Sequence, residues 1–98
     1  MNLIDDEPWR WTLFEEDGEL YLDAFCSHSA VDYTFAVQMS ASEKESLRHR
    51  GRDWLTEFSH KIHYSAPGVI GSGSEYKARK VSAAVERRIQ DARDRNLT

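Results

Sequence analysis

Trp9, Trp11 and Leu13 alternate with Arg10 and Thr12, the two-residue period of a half-buried strand. Glu16-Asp17-Gly18-Glu19 follows. Asp-Gly between alternating segments predicts a hairpin, because a type I′ turn needs positive φ at both central positions. Leu20, Leu22, Ala24 and Cys26 then mark one face of a second strand, with Tyr21, Asp23 and Phe25 on the other. Ser27-His28-Ser29-Ala30 reads as a connecting loop, and Val31, Tyr33, Phe35, Val37 and Met39 mark a third strand. Three consecutive antiparallel strands make a meander with one face to cover.

The pattern then changes to a helical period. Ser42 with Glu45, or Ser40 with Glu43, has the capping-box spacing, so a helix starts at one of them. Leu47, Gly51, Trp54, Leu55, Phe58 and Ile62 lie on one helical stripe, which predicts a long amphipathic helix over 42–63 that covers the sheet. Gly51 inside a helix costs about 1 kcal/mol against Ala, and its place on the stripe predicts close approach to the sheet. Pro67 disfavours helical geometry at Ala66 and ends the helix near Tyr64.

Residues 65–80 carry no apolar period, and a loop of that length is often functional or mobile. A last helix over 82–95 has a narrow seam of Val81, Val85, Ile89 and Ala92 among charged residues. This seam is read as lying alongside the domain or across an interface, with a homodimer through it as one reading. Residues 1–8 read as a loose acidic arm ending at Pro8. The expected fold class is therefore α+β, in the order β-β-β-α-α, as a single domain over 1–98.

Composition agrees with one folded domain. The chain has 98 residues, 40% hydrophobic and 31% charged, with three Trp, four Tyr and four Phe to supply buried area. Cys26 is the only cysteine, so no intrachain disulfide forms. The acidic start lacks the basic and apolar regions of a signal peptide, and no apolar run approaches a membrane span. These features together predict a cytoplasmic protein. The net charge of −4 is unevenly placed. Residues 1–40 carry nine acids against Arg10 alone, whereas residues 41–98 carry twelve Lys and Arg against eight acids. Such asymmetry points either to an external partner or to attraction between the two halves within one fold.

Cys26, His28, His60 and His63 are metal-ligand types, but Cys26 falls in the apolar phase of its strand, and no metal site is expected. The same burial argues against a Cys-His nucleophile, so no catalytic residue and no cofactor is assigned. Gly71, Ser72, Gly73 and Ser74, followed by Lys77, Arg79 and Lys80, suit a phosphate or carboxylate, which makes a small-ligand or enzymatic role the alternative reading. A whole-chain pI near 5.5 argues against nucleic acid. The acidic hairpin is the most directed feature: Glu15, Glu16, Asp17 and Glu19 crowd one turn beside Trp9 and Trp11, a residue type favoured at interface hot spots. The sequence thus points to a protein–protein interaction module that docks a basic partner surface. In general build it resembles small bacterial inhibitors such as toxin-neutralising immunity proteins, although no motif carries that resemblance.

Overall fold

The computed structural model describes residues 1–28 and 31–96, with Val31 described by its backbone alone. Within these residues four strands, β1 (Asn2–Glu7), β2 (Trp11–Glu16), β3 (Glu19–His28) and β4 (Val31–Gln38), form one antiparallel sheet in the order β1-β2-β3-β4. Three helices follow: α1 (Ala41–Arg50), α2 (Arg52–Tyr64) and α3 (Ala83–Arg95). The class is α+β, but the sheet has one strand more than the sequence pattern predicts. The expected acidic arm is that strand. Its acids sit on an edge, paired in register from Asn2 opposite Glu15 to Glu7 opposite Trp11, with an irregularity between Leu3 and Asp5. An edge strand is a place where charge is tolerated, because one side of it faces water.

The hairpin forms as its turn residues dictate. Glu16 pairs with Glu19 across Asp17 and Gly18, whose φ angles of 53° and 83° are both positive. β3 continues through Ser27 and His28, so half of the expected loop is strand; the rest of that loop, Ser29 and Ala30, lies outside the described residues.

Both faces of the sheet are covered, not one. On the first, Leu55, Phe58 and Ile62 of α2 pack on Trp11, Leu13, Leu22, Ala24, Cys26, Phe35 and Val37. On the second, Ile89 and Ala92 of α3 pack on Phe14, Tyr21 and Ala36. The seam thus lies alongside the chain's own sheet, with Ile89 and Ala92 buried and Val81 and Val85 partly buried, which leaves little apolar surface for a homodimer through it. α3 covers only part of its face, leaving Thr12, Asp23, Phe25 and Thr34 at a cleft.

The long helix expected over 42–63 is two helices. The Ser40–Glu43 pair forms the capping box, with the Ser40 hydroxyl accepting from the Glu43 N–H at 3.2 Å and the Glu43 carboxylate accepting from the Ser40 N–H at 2.8 Å. α1 ends at Gly51, whose φ of 74° and ψ of −162° belong to a region only glycine occupies readily. Nor does Gly51 approach the sheet, since a Cβ there would meet nothing within 4 Å. Gly51→Ala should therefore destabilise the protein by about 1–3 kcal/mol through backbone strain. A continuous helix would instead gain about 1 kcal/mol from the same change. Thermal unfolding of the variant distinguishes the two by the sign of the shift.

Candidate functional site

The acidic hairpin is largely engaged inside the molecule. Glu16 meets the Met1 amino group at 3.2 Å and Arg88 at 3.0 Å. Glu19 accepts from the Gln38 amide at 2.8 Å and meets Lys44 at 3.4 Å, and these two donors hold its carboxyl below the ordinary range. Glu15 accepts from the Gly18 N–H at 3.2 Å and so braces the turn, of which Asp17 is the first central residue. Further cross-half pairs join Arg52 to Asp5 and Glu7, and Arg93 to Asp23. Attraction between the halves therefore accounts for much of the charge asymmetry. Each exposed pair contributes little, because water and salt screen it.

The two tryptophans assigned to the partner surface separate. Trp11, only 2% exposed, is a core residue of β2 and presents almost no surface to a partner. Trp9 is 81% exposed. It lies before β2 in the turn Glu7-Pro8-Trp9-Arg10, closed by the Arg10 N–H donating to the Glu7 carbonyl at 2.9 Å. Its φ of 65° occupies the third turn position that glycine usually takes. Pro8 in the second position favours such a turn, but a tryptophan after it carries no turn signal, and β2 begins two residues later than the alternation predicts.

Trp9 stands between two clefts. On one side a cleft of about 400 Å³ is bounded by the turn, by Phe25 and Ser27 of β3, and by Ser59, His60, His63 and Tyr64 of α2. Trp9 meets Phe25 edge-on, at 5.6 Å between ring centroids. Arg10 Nη1 donates to His60 Nε2 at 2.8 Å, and the Ser27 N–H donates to His63 Nδ1 at 3.3 Å. The His63 ring stacks on His28 at 4.8 Å and meets Tyr64 edge-on at 4.8 Å. Among the described residues the buried Nε2 atom of His28 has no hydrogen-bond partner. On the other side of Trp9, a cleft of about 460 Å³ contains Thr12, Asp23, Thr34 and Arg93. Arg93 donates to Asp23 at 2.5 Å and to Thr12 at 3.3 Å. Burial raises the Asp23 carboxyl above its ordinary pKa, even with Arg93 opposing the shift.

Dehydration, followed by the nearby His28 and His60, lowers the His63 pKa from its usual 6.5. The unfolded chain therefore takes up this proton first as pH falls. The contribution of His63 to stability is intact above the unfolded value and declines as pH falls through it toward the lower folded value. Urea midpoints should drop between about pH 7 and 5, and His63→Asn should reduce that drop. An unchanged slope in the variant would assign the effect to another group.

The remaining sequence candidates have structural partners. Cys26 is fully buried, and burial pushes its thiol up to about 11. Among the described residues no group of three or more His, Cys, Asp or Glu is arranged to hold a metal ion. In the Gly/Ser loop, Ser72 Oγ donates to the Ala66 carbonyl at 2.7 Å, and the Ser65 and Ser74 hydroxyls lie 2.6 Å apart. Gly71 adopts a φ of 85°, and Gly73 has open space around it. Tyr76 enters the main core. Lys77 donates to the Ser72 carbonyl, Arg79 pairs with Glu43, and Lys80 pairs with Glu86. The cations of the expected anion site thus face oxygens of the chain itself. No helix among the described residues is long and apolar enough to cross a membrane. Comparison with protein-family models, curated proteins and solved structures finds no match.

Proposed function

We propose that the protein is a protein–protein interaction module whose docking face is centred on Trp9. The observation that carries this reading is a largely exposed tryptophan held in a left-handed backbone conformation. That conformation costs a non-glycine residue about 1–2 kcal/mol, and local order would be better served by glycine. Strain of this kind clusters where binding requires a particular side chain. Phe25 and Tyr64 extend the aromatic surface on one side, and tryptophan and tyrosine are the residue types that most often anchor interfaces. An inhibitor or toxin-neutralising role is the specific form of this function that we favour. The acidic hairpin supports it less than Trp9 does, because Glu16 and Glu19 already carry internal ion pairs.

Trp9→Gly tests this reading through two opposed effects. Relief of the positive φ should leave the variant as stable as the parent, or more stable by up to about 1 kcal/mol. Capture of the cognate partner in a pull-down, identified by mass spectrometry, should be lost. A variant that is clearly destabilised yet still captures the partner would make Trp9 a structural residue and move the docking face elsewhere.

A further inference from the structure

We infer that the cleft between the Pro8–Arg10 turn and the end of α2 recognises a carboxylate, carried by an acidic residue next to an aromatic one in a segment of the partner protein. This inference rests on the docking face proposed above and specifies what it binds. Charge comes first. The chain has 17 acids against 13 Lys and Arg, yet this cleft is lined by Arg10, His60 and His63 with no Asp or Glu. Among the described residues Arg10 pairs with no carboxylate, whereas Arg52, Arg79, Arg88 and Arg93 each do. Its guanidinium gives a hydrogen bond to His60 Nε2, which orients the fork without neutralising its charge. Arginine in this condition is suited to a bidentate contact with a carboxylate.

The histidine tautomers add a second donor. Acceptance at Nε2 places the neutral His60 proton on Nδ1. Acceptance from the Ser27 N–H at Nδ1 places the His63 proton on Nε2, a donor that has no acceptor among the described residues and belongs to a ring lining the cleft. One full positive charge and neutral donors match a monoanion. A nucleic-acid backbone would demand several cations, and Asp6 and Glu7 at the adjoining cleft would repel it. Trp9, Phe25 and Tyr64 provide aromatic walls beside the polar groups. Pro8, Trp9, Arg10 and Phe25 line both clefts, so an extended occupant passes Trp9 on both sides, which suits a peptide better than a compact acid. The acids of the second cleft direct the carboxylate to the histidine side.

The test uses the full chain and three probes: acetyl-Phe-Glu-Phe-amide, acetyl-Phe-Gln-Phe-amide and phenylacetate. Binding is followed by nuclear magnetic resonance shifts of the Trp9 indole and the His63 ring. The Glu peptide should bind about tenfold more tightly than the Gln peptide, as expected for one charge-assisted contact. Arg10→Gln should abolish that preference at an unchanged thermal midpoint, and Arg10→Lys should restore part of it. Equal binding of the two peptides, or binding of neither, overturns the carboxylate assignment. Phenylacetate binding as tightly as the Glu peptide overturns the peptide as occupant. Partner capture that is lost in Trp9→Gly but unchanged in Arg10→Gln also removes the carboxylate while leaving the docking face. Peptide discrimination that persists while Trp9→Gly still captures the partner supports the cleft chemistry and removes the interaction reading.

Discussion

Trp11→Ala should cost about 3–5 kcal/mol of stability, the range for deleting a large aromatic side chain from a core. Trp9→Ala, two residues away, should change stability by less than about 1 kcal/mol, as is usual for exposed positions. The difference follows from surroundings. Trp11 is buried among the residues that pack beneath α2, its indole N–H donates to the Thr56 hydroxyl at 3.1 Å, and the Arg52 guanidinium lies 5.4 Å over its ring. Removing the ring leaves a cavity, an unpaired hydroxyl and a cation without its aromatic face. Trp9 has Phe25 as its ring contact, and water covers most of it. A domain of this size has a total stability of about 5–15 kcal/mol, so Trp11→Ala removes a large share of it. Phe58→Ala should lose a similar amount, about 3–5 kcal/mol, because that ring packs in the same cluster with Trp54 stacked at 5.0 Å. Urea denaturation of the three variants checks the set. A loss in Trp9→Ala as large as that in Trp11→Ala would contradict the division between surface and core.

Arg93→Met should cost about 3 kcal/mol at pH 7, the lower end of the range for breaking a buried ion pair. The lower end applies because the Arg93 side chain is 31% exposed, although that of Asp23 is only 6% exposed. The variant leaves the Asp23 carboxylate dehydrated and without its cation, and it also removes the hydrogen bond to Thr12. Its effect carries a pH signature. The Asp23 pKa is already raised by burial, and losing Arg93 raises it further, so protonation relieves the variant as pH falls. The deficit against the parent should therefore shrink from pH 7 toward pH 4. Asp23→Asn should be far milder than Arg93→Met, because the remaining guanidinium reaches water while the remaining carboxylate does not. Urea titrations of both variants at the two pH values test this ordering. A deficit independent of pH would show that Arg93 contributes through packing instead of charge.

Much of the local structure is legible along the chain. Asp17-Gly18 specifies its turn because both positions must take positive φ, and no distant contact is needed for that preference. The alternation of Leu22, Ala24 and Cys26 identifies the face beneath α2, because a strand exposes opposite sides at successive residues. Ser40 and Glu43 specify a helix start through groups three residues apart. The α3 seam is equally visible, as is the core character of Cys26. These are short-range relations, and they determine the elements and the class of the fold.

What the tertiary structure decided depends on encounters between distant residues. Phe14, Tyr21 and Ala36 sit on the strand faces that a single cover would leave in water, and only the docking of α3 makes them core. The acidic first residues become a strand because β2 offers an edge with which to pair. Gly51 breaks a helix whose apolar spacing runs on through it, since the stripe records which side faces the sheet and not whether the backbone turns. Trp9 and Trp11 share residue type and strand phase, yet one belongs to a turn and the other to the core. The candidate site joins Arg10 to His60 across 50 positions, and its neighbouring cleft joins Asp23 to Arg93 across 70. Periodicity reports whether a side chain is buried, but which cation meets which acceptor is set by chain geometry in three dimensions.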